Sequence, residues 1–364
     1  MKIKEIISLL ESWAPISYQE SYDNSGLIVG DREGDVSKVL ITLDCVESVV
    51  DEAISKNCQM IIAHHPIIFG GLKRLNGNNY VEKTVIKAIK NDIAIYAIHT
   101  NLDNISLGVN AMIAEKLGLI HTRILSPKKQ ILKKLITYIP ENSFEIVQNA
   151  LFEAGAGHVG NYSHCGFSSI GNGSFLGNEN SNPSLGSPNQ LEIVKEIKFE
   201  TIFPHYLESK IINTLFQIHP YEEVAYDVIA LENTHKDVGS GIIGELENEI
   251  SLEEFLKMVK EQFQLKTLKY TPSHKTIKRV AICGGSGSFL RMDALRNGAD
   301  VFLSSDFKYH EWFDAEGQIS YIDIGHYESE QYTKELIFNY LKEKALYLQS
   351  EISKVNTNPV NYFI

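Results

Sequence analysis

His64 and His65 stand side by side at the end of an apolar run, in Ala63-His64-His65-Pro66. Residues 59–63 have the length and composition of a strand, and Pro66 with the later Gly70-Gly71 pair stops further regular structure. The two imidazoles therefore sit at a strand's carboxyl tip. Successive side chains on an extended backbone point to opposite sides, so each histidine suits one member of a metal pair better than both suit one ion. Two further places supply matching ligand types: His99 and Asp103 in His99-Thr100-Asn101-Leu102-Asp103, and His326 with Glu330 in His326-Tyr327-Glu328-Ser329-Glu330. His326 and Glu330 are four apart at the opening of a helix, which puts them on one face. A carboxylate so placed can bridge two ions.

Each motif has an ordinary reading as well. A His-His pair is commonly a polar loop, Glu330 can complement the positive end of its helix, and Asp103 can cap the next helix or close a turn. Three mixed His/carboxylate motifs at three strand tips are hard to explain by capping, and together they favour metal. His64, His65, Asp103, His326 and Glu330 make a borderline nitrogen and oxygen set for two divalent ions per chain. Zinc or iron ranks first, manganese or cobalt is compatible, and soft copper is not. Five ligands cannot saturate two ions, and open positions suit hydrolytic chemistry.

Lesser candidates surround this set. His99 is either a partner that orients a ligand or a satisfied core histidine. Asp44 ends another strand at the same edge, or caps the helix after it. Asp306 and His310 follow a further strand tip, and His310 is the candidate catalytic residue for proton transfer. Gly284-Gly285-Ser286-Gly287-Ser288 resembles an anion-binding nest, without the Lys of a P-loop or the third glycine of a dinucleotide fingerprint, where Leu290 stands. The polar stretch from Ser21 to Leu27 reads as a loop, with a site lining as the alternative.

The elements that must position these residues follow a rhythm. Strands at 39–43, 59–63 and 93–98 alternate with helices at 46–56, 81–90 and 109–117, which means a mainly parallel sheet with helices packed on it. The same rhythm returns with strands at 279–283, 300–303 and 319–324 and helices at 289–297, 310–315 and 328–346. In open α/β sheets ligands bind outside the strands' carboxyl ends, where all three motifs fall. Between the halves the chain changes character, with short strands at 135–139, 197–203 and 224–229, one helix at 144–154, and a Gly/Asn/Ser stretch at 155–190 that reads as a mobile loop with some hairpin. The expected organisation is α/β, with two similar three-layer halves at 1–128 and 234–364 forming one body and an α+β domain inserted at 129–233.

Composition bounds the partners. The chain has 364 residues, 43% hydrophobic and 22% charged, and a formal net charge of -12. That charge argues against a nucleic-acid surface, which needs a basic footprint. No apolar run approaches the ~20 residues of a membrane span. The pattern Ile3, Ile6, Ile7, Leu10, Trp13 is an amphipathic helix rather than a signal peptide. Four cysteines without CxxC spacing exclude a zinc ribbon and fit a reducing cytoplasm.

Ala63-His64-His65-Pro66, His99-Thr100-Asn101-Leu102-Asp103 and Asp323-Ile324-Gly325-His326-Tyr327-Glu328-Ser329-Glu330, in that order, resemble the dinuclear-metal-centre family of GTP cyclohydrolase 1 type 2 homologs, the NIF-three-like proteins. Asp23-Asn24-Ser25-Gly26-Leu27 and the Cys283 to Gly287 run are similar to that family too. The resemblance spans the chain and implies metal ligation by His64, His65, Asp103, His326 and Glu330, with Glu330 as the bridge. It also implies a toroidal homohexamer with sites facing an internal cavity. The middle block, through His219-Pro220-Tyr221-Glu222-Glu223, resembles the PII- and CutA-like insert of the long bacterial form, of ferredoxin-like fold. Where the family usually has Thr-Gly before the acidic residue at 306, this chain has Ser304-Ser305, a departure that bears on substrate contacts more than on metal. The activity implied is a metal-dependent hydrolase of a nucleotide or another phosphorylated small molecule, GTP above all. The alternative is a metal store or protein-binding scaffold without turnover.

Overall fold

The structure, a computed structural model, describes residues 1–273 and 276–363. Contacts divide the chain into one unit made of Met1–Ser126 with Asp237–Ile364 and another of Pro127–Lys236. Among the described residues no helix is long and apolar enough to cross a membrane.

The three strands expected first in the chain form as Lys38–Thr42, Met60–Ala63 and Ala94–Ala97. They are parallel neighbours, with Ile41 beside Ile62 and Ile62 beside Tyr96. Their unbroken apolar character follows from burial on both faces. Leu40, Ile61 and Ile95 pack with Val49, Val50 and Ala53 of helix Glu47–Ser55 and with Val85 and Ala88 of helix Tyr80–Lys90. Asn79 caps the latter helix by accepting from the Glu82 N–H. The alternate residues Val39, Ile41, Met60, Ile62 and Tyr96 face the other way and are equally buried.

Two more strands complete this five-stranded sheet. Gly26–Val29 pairs antiparallel with Ala94–Ala97, so the stretch read as a loop runs into a strand. Gln349–Ile352 pairs parallel with Lys38–Thr42. The second sheet has six strands, in the order Lys269–Tyr270, Ser320–Asp323, Val301–Ser304, Ile277–Ile282, Gly239–Ile250, Ile120–Pro127. Its three central strands are parallel. The halves thus exchange strands: the C-terminal half gives Gln349–Ile352 to the first sheet, and the N-terminal half gives Ile120–Pro127 to the second. The rhythm also missed Gly239–Ile250 and the helix Leu252–Gln262, which opens on a Ser251/Glu254 capping box. The helix expected over 328–346 is broken into His326–Glu330 and Thr333–Lys344.

The Pro127–Lys236 unit is a four-stranded antiparallel sheet with two helices, in the chain order Leu132–Pro140, helix Phe144–Glu153, Gly166–Leu176, Leu191–Pro204, helix Glu208–Ile218, Tyr226–Leu231. This is the split β-α-β arrangement of ferredoxin-like folds. Leu135, Val147, Leu151, Phe199, Phe203, Ile211 and Leu215 form its core. Of residues 155–190, expected as a mobile loop with some hairpin, 166–176 form one strand of a hairpin and 177–190 hold no helix or strand. Gly166–Leu176 is an exposed strand in continuous register with Leu191–Pro204, so it needs no apolar face to pair. The helix Glu208–Ile218 was also missed. His219-Pro220-Tyr221 is a structural turn: His219 Nε2 bonds the Tyr138 carbonyl at 3.0 Å, and the Tyr221 hydroxyl donates to Glu196 at 2.8 Å.

Candidate metal centre

Each strand tip delivers a side chain to one place. His64 and His65 follow Met60–Ala63, His99 follows Ala94–Ala97, and His326 opens its helix just past Ser320–Asp323. His64 is fully buried, and its Nδ1 bonds the Ile98 carbonyl at 2.8 Å. That contact fixes Nδ1 as the donor and leaves Nε2 as a lone pair pointing inward. Nε2 has no hydrogen-bond partner among the described residues, and neither does Asp103 Oδ1, which lies 3.6 Å from it. Two buried polar atoms left in this state are costly unless a third group completes them.

Glu330 divides its oxygens between the histidines. Oε2 is 2.9 Å from His65 Nε2 and 3.1 Å from His326 Nε2, while Oε1 is 3.9 Å from His64 Nε2. The far nitrogens of these rings are anchored to carboxylates: His65 Nδ1 to Asp44 at 2.7 Å and His326 Nδ1 to Asp306 at 2.6 Å. His99 follows the same rule, with Nδ1 at 2.7 Å from Asp23 Oδ1. A carboxylate or carbonyl on one imidazole nitrogen, with the other nitrogen presented inward, is the arrangement that orients histidines toward metal ions. Three groupings could each hold a cation: His64, Asp103 and Glu330; His65, His326 and Glu330; and His64, His65 and His99.

The electrostatics fit that donor set. Burial drives the His64 imidazole down to about 3, so it stays neutral. Burial would lower His65 and His326 too, but hydrogen bonds to Asp44 and Glu330 lift His65 to about 9, and those to Asp306 and Glu330 lift His326 to about 11. Glu330 is held well below the usual carboxylate range by His326 and His65 despite its burial. Asp103 is pushed up by burial and by the neighbouring Glu330 charge. The residues present thus suit a pair of divalent cations, which would relieve the carboxylate repulsion and complete the orphaned atoms.

Sequence reasoning named His64, His65, Asp103, His326 and Glu330, and the structure brings all five together. It missed the work of Asp23, Asp44 and Asp306. Asp23 lay within a stretch read as a loop; its carboxylate also accepts from the Thr100 N–H and hydroxyl and from Ser25. Asp306 was paired with the wrong histidine. His310 is exposed on the 3-10 turn Tyr309–Ala315, against Tyr309 and Phe313, and is not among the residues lining the site.

The glycine amides of the Gly284 to Ser288 turn are already used within the fold: Gly284 N–H donates to Asn110 Oδ1, Gly285 N–H to Ser329 Oγ and Gly287 N–H to Ser304 Oγ. Ser304 and Ser305 are fully buried and donate to the Gly285 carbonyl, so this pair grips the turn instead of facing a ligand. Gly285 has φ +60, and a β-carbon there would lie 2.2 Å from Glu330 Oε1. The glycine is needed for close approach to the carboxylate.

A cavity of about 330 Å³ opens on the cluster, at the small end of ligand sites. His65, His99, Asp103, His326 and Glu330 line its base, and Tyr22, Phe69 and Phe289 stand exposed at its sides. No lysine or arginine is among its described lining residues.

Comparisons with known proteins agree with this architecture. The family described as Duf34/NIF3 (NGG1p interacting factor 3) matches residues 1–359. A Bacillus subtilis (strain 168) protein named GTP cyclohydrolase 1 type 2 homolog is 40% identical over 99% of this chain and 98% of its own length. A Staphylococcus aureus (strain COL) protein of the same name is 38% identical over 100% of both. Among solved structures, a Bacillus cereus protein related to NIF3 is 39% identical, covers 100% of this chain and 99% of that one, and superposes with a TM-score of 0.86.

Proposed function

Since the chain belongs to the Duf34/NIF3 family, we propose that it binds two divalent cations through His64, His65, Asp103, His326 and Glu330 and uses them to hydrolyse a small molecule. The observation that carries this reading is the set of imidazoles anchored at Nδ1 around one buried carboxylate. Bound there, zinc or iron, or manganese or cobalt, would supply Lewis acidity for hydrolysis near neutral pH.

The chain's own residues do the rest. Glu330 offers one oxygen to each side of the site, and Asp44 and Asp306 keep the His65 and His326 rings in plane. His99, turned by Asp23, presents Nε2 at the cavity as a hydrogen-bond acceptor. Nucleotides are the first substrate class to test, because the curated relatives are named for GTP. The homohexamer and a cytoplasmic setting belong to the same reading. The four free cysteines support the setting, and the exposed Tyr309 and Phe313 side chains support association.

A metal store or scaffold is the second reading, and a specific observation favours it. Among its described residues the cavity lining has no lysine or arginine, and the amides of Gly284, Gly285 and Gly287 are already bonded, so a triphosphate would find no lysine or arginine clamp. The deciding experiment incubates the metal-loaded protein with nucleoside triphosphates and phosphoesters and follows products by mass spectrometry. Glu330-dependent formate and a ring-opened or pterin product from GTP would establish the hydrolase reading. No turnover, with metal passing to another protein, would establish the store.

A further inference from the structure

Asp23 and Asp44 hold their histidines in different ways. Asp23 is fixed by close neighbours, the Asn24 and Thr100 amides and the Thr100 and Ser25 hydroxyls. Asp44 Oδ2 instead accepts from the Thr357 hydroxyl at 2.6 Å, across 313 positions of sequence. Among the described residues, His65 and Thr357 are the hydrogen-bond partners of this carboxylate.

Thr357 lies on the segment that leaves the Gln349–Ile352 strand, and that segment is tied down along its length. The Ser353 N–H donates to the Ile41 carbonyl at 2.8 Å, and the Ser353 hydroxyl donates to Glu52 at 2.5 Å. The Lys354 N–H donates to the same Glu52, and Val355 packs on the apolar cluster of the first sheet. Farther on, Asn358 Nδ2 and the Tyr362 hydroxyl each donate to Glu328 Oε1 at 3.1 Å. Glu328 is two residues past His326 on the same short helix, so the segment bonds the carboxylate that anchors His65 and a second carboxylate on the helix that carries His326. It also walls a second cavity of about 700 Å³, on the side of His65 and His326 where Asp44 and Asp306 lie.

We infer that residues 353–362 are a positioning strap for the metal centre, and that Thr357 is the residue that sets His65 by holding Asp44 in place. The inference rests on the two-cation reading above. The physical reason is the state of Asp44: its side chain is 32% exposed, and without the Thr357 bond its Oδ2 is open to water and His65 is left as the carboxylate's one hydrogen-bond partner among the described residues. His65 would then lose the fixed carboxylate that sets its ring plane and strengthens Nε2 as a donor to a cation. The cation held by His64 and Asp103 has no such dependence, because His64 is anchored by the Ile98 carbonyl.

The test titrates the full chain with cobalt(II) alone, following visible absorption and heat, for the wild type, Thr357→Val and Thr357→Ser. The wild type takes up two equivalents. Thr357→Val keeps one unchanged and binds the other about 10- to 100-fold more weakly, with an altered absorption band, and Thr357→Ser returns to wild-type behaviour. Thr357→Ala serves the same comparison should the valine variant not fold. A valine or alanine variant that titrates like the wild type overturns the strap while leaving the metal reading intact. A serine variant as weak as valine also overturns it, since packing and not the hydroxyl would then be responsible. A wild type that takes up no cobalt overturns the metal reading itself, and the strap with it.

Discussion

Gly285 lies so close to Glu330 that a β-carbon on it would sit 2.2 Å from the Oε1 oxygen. The turn that carries it is locked in that position by Ser304, Ser305 and Ser329, so it cannot retreat. Gly285→Ala should therefore displace the Glu330 carboxylate and also cost about 1–2 kcal/mol from its left-handed backbone. We expect thermal unfolding a few degrees lower and the loss of both cations by elemental analysis. Retention of both would show that Glu330 has room the geometry denies it.

Cation uptake should expel protons. His65 and His326 are raised to about 9 and about 11 by their carboxylate partners. At neutral pH both rings carry a proton that a metal ion must replace. Affinity should therefore fall as pH falls below about 11, and more steeply below about 9, and titrations in buffers of different ionisation heat should reveal roughly two protons released per chain at pH 7. The linkage to folding has a definite sign. The stability these raised histidines contribute is full below about 6.5 and is lost as pH rises through 9 and 11, whereas that of the depressed Glu330 is lost as pH falls below its ordinary range. Heat signals independent of buffer would contradict the assignment of protons to these rings.

The Pro127–Lys236 unit should be removable. The Lys128 carbonyl accepts from the His235 N–H at 2.9 Å, so the two ends of the unit lie side by side. Its core residues, such as Phe199 and Leu215, pack among themselves. Deleting residues 129–233 and closing the gap with a short flexible linker should leave a soluble body with an unchanged metal content, because both sheets keep all their strands. Insoluble product from several linker lengths would count against these boundaries.

Much of this centre was legible because its histidines lie at strand tips, where a run of buried apolar residues ends abruptly on polar ones: Met60–Ala63 before His64, and Ser320–Asp323 before His326. What anchors them was not legible, because Asp23, Asp44 and Asp306 find their histidines across 76, 21 and 20 residues, and no local pattern marks the pairing. A fixed carboxylate at a neighbouring strand tip was the available signal for Asp44 and Asp306. Gly284 to Gly287 read as an anion nest because composition shows glycines but not what occupies their amides. Strand exchange was hidden for a related reason. Gln349–Ile352 and Ile120–Pro127 are edge strands, half exposed, and carry little of the hydrophobic pattern that identifies Lys38–Thr42.

The central claim is that one buried carboxylate unites two cation sites. The most direct measurement is the metal content of the purified chain after loading with zinc or iron and gel filtration, for the wild type and for Glu330→Ala combined with His65→Ala. The geometry predicts about two ions per chain in the wild type and close to none in the double variant, since these residues belong between them to all three potential ligand groupings. A wild type that retains no metal, or a double variant that keeps both ions, would contradict the account.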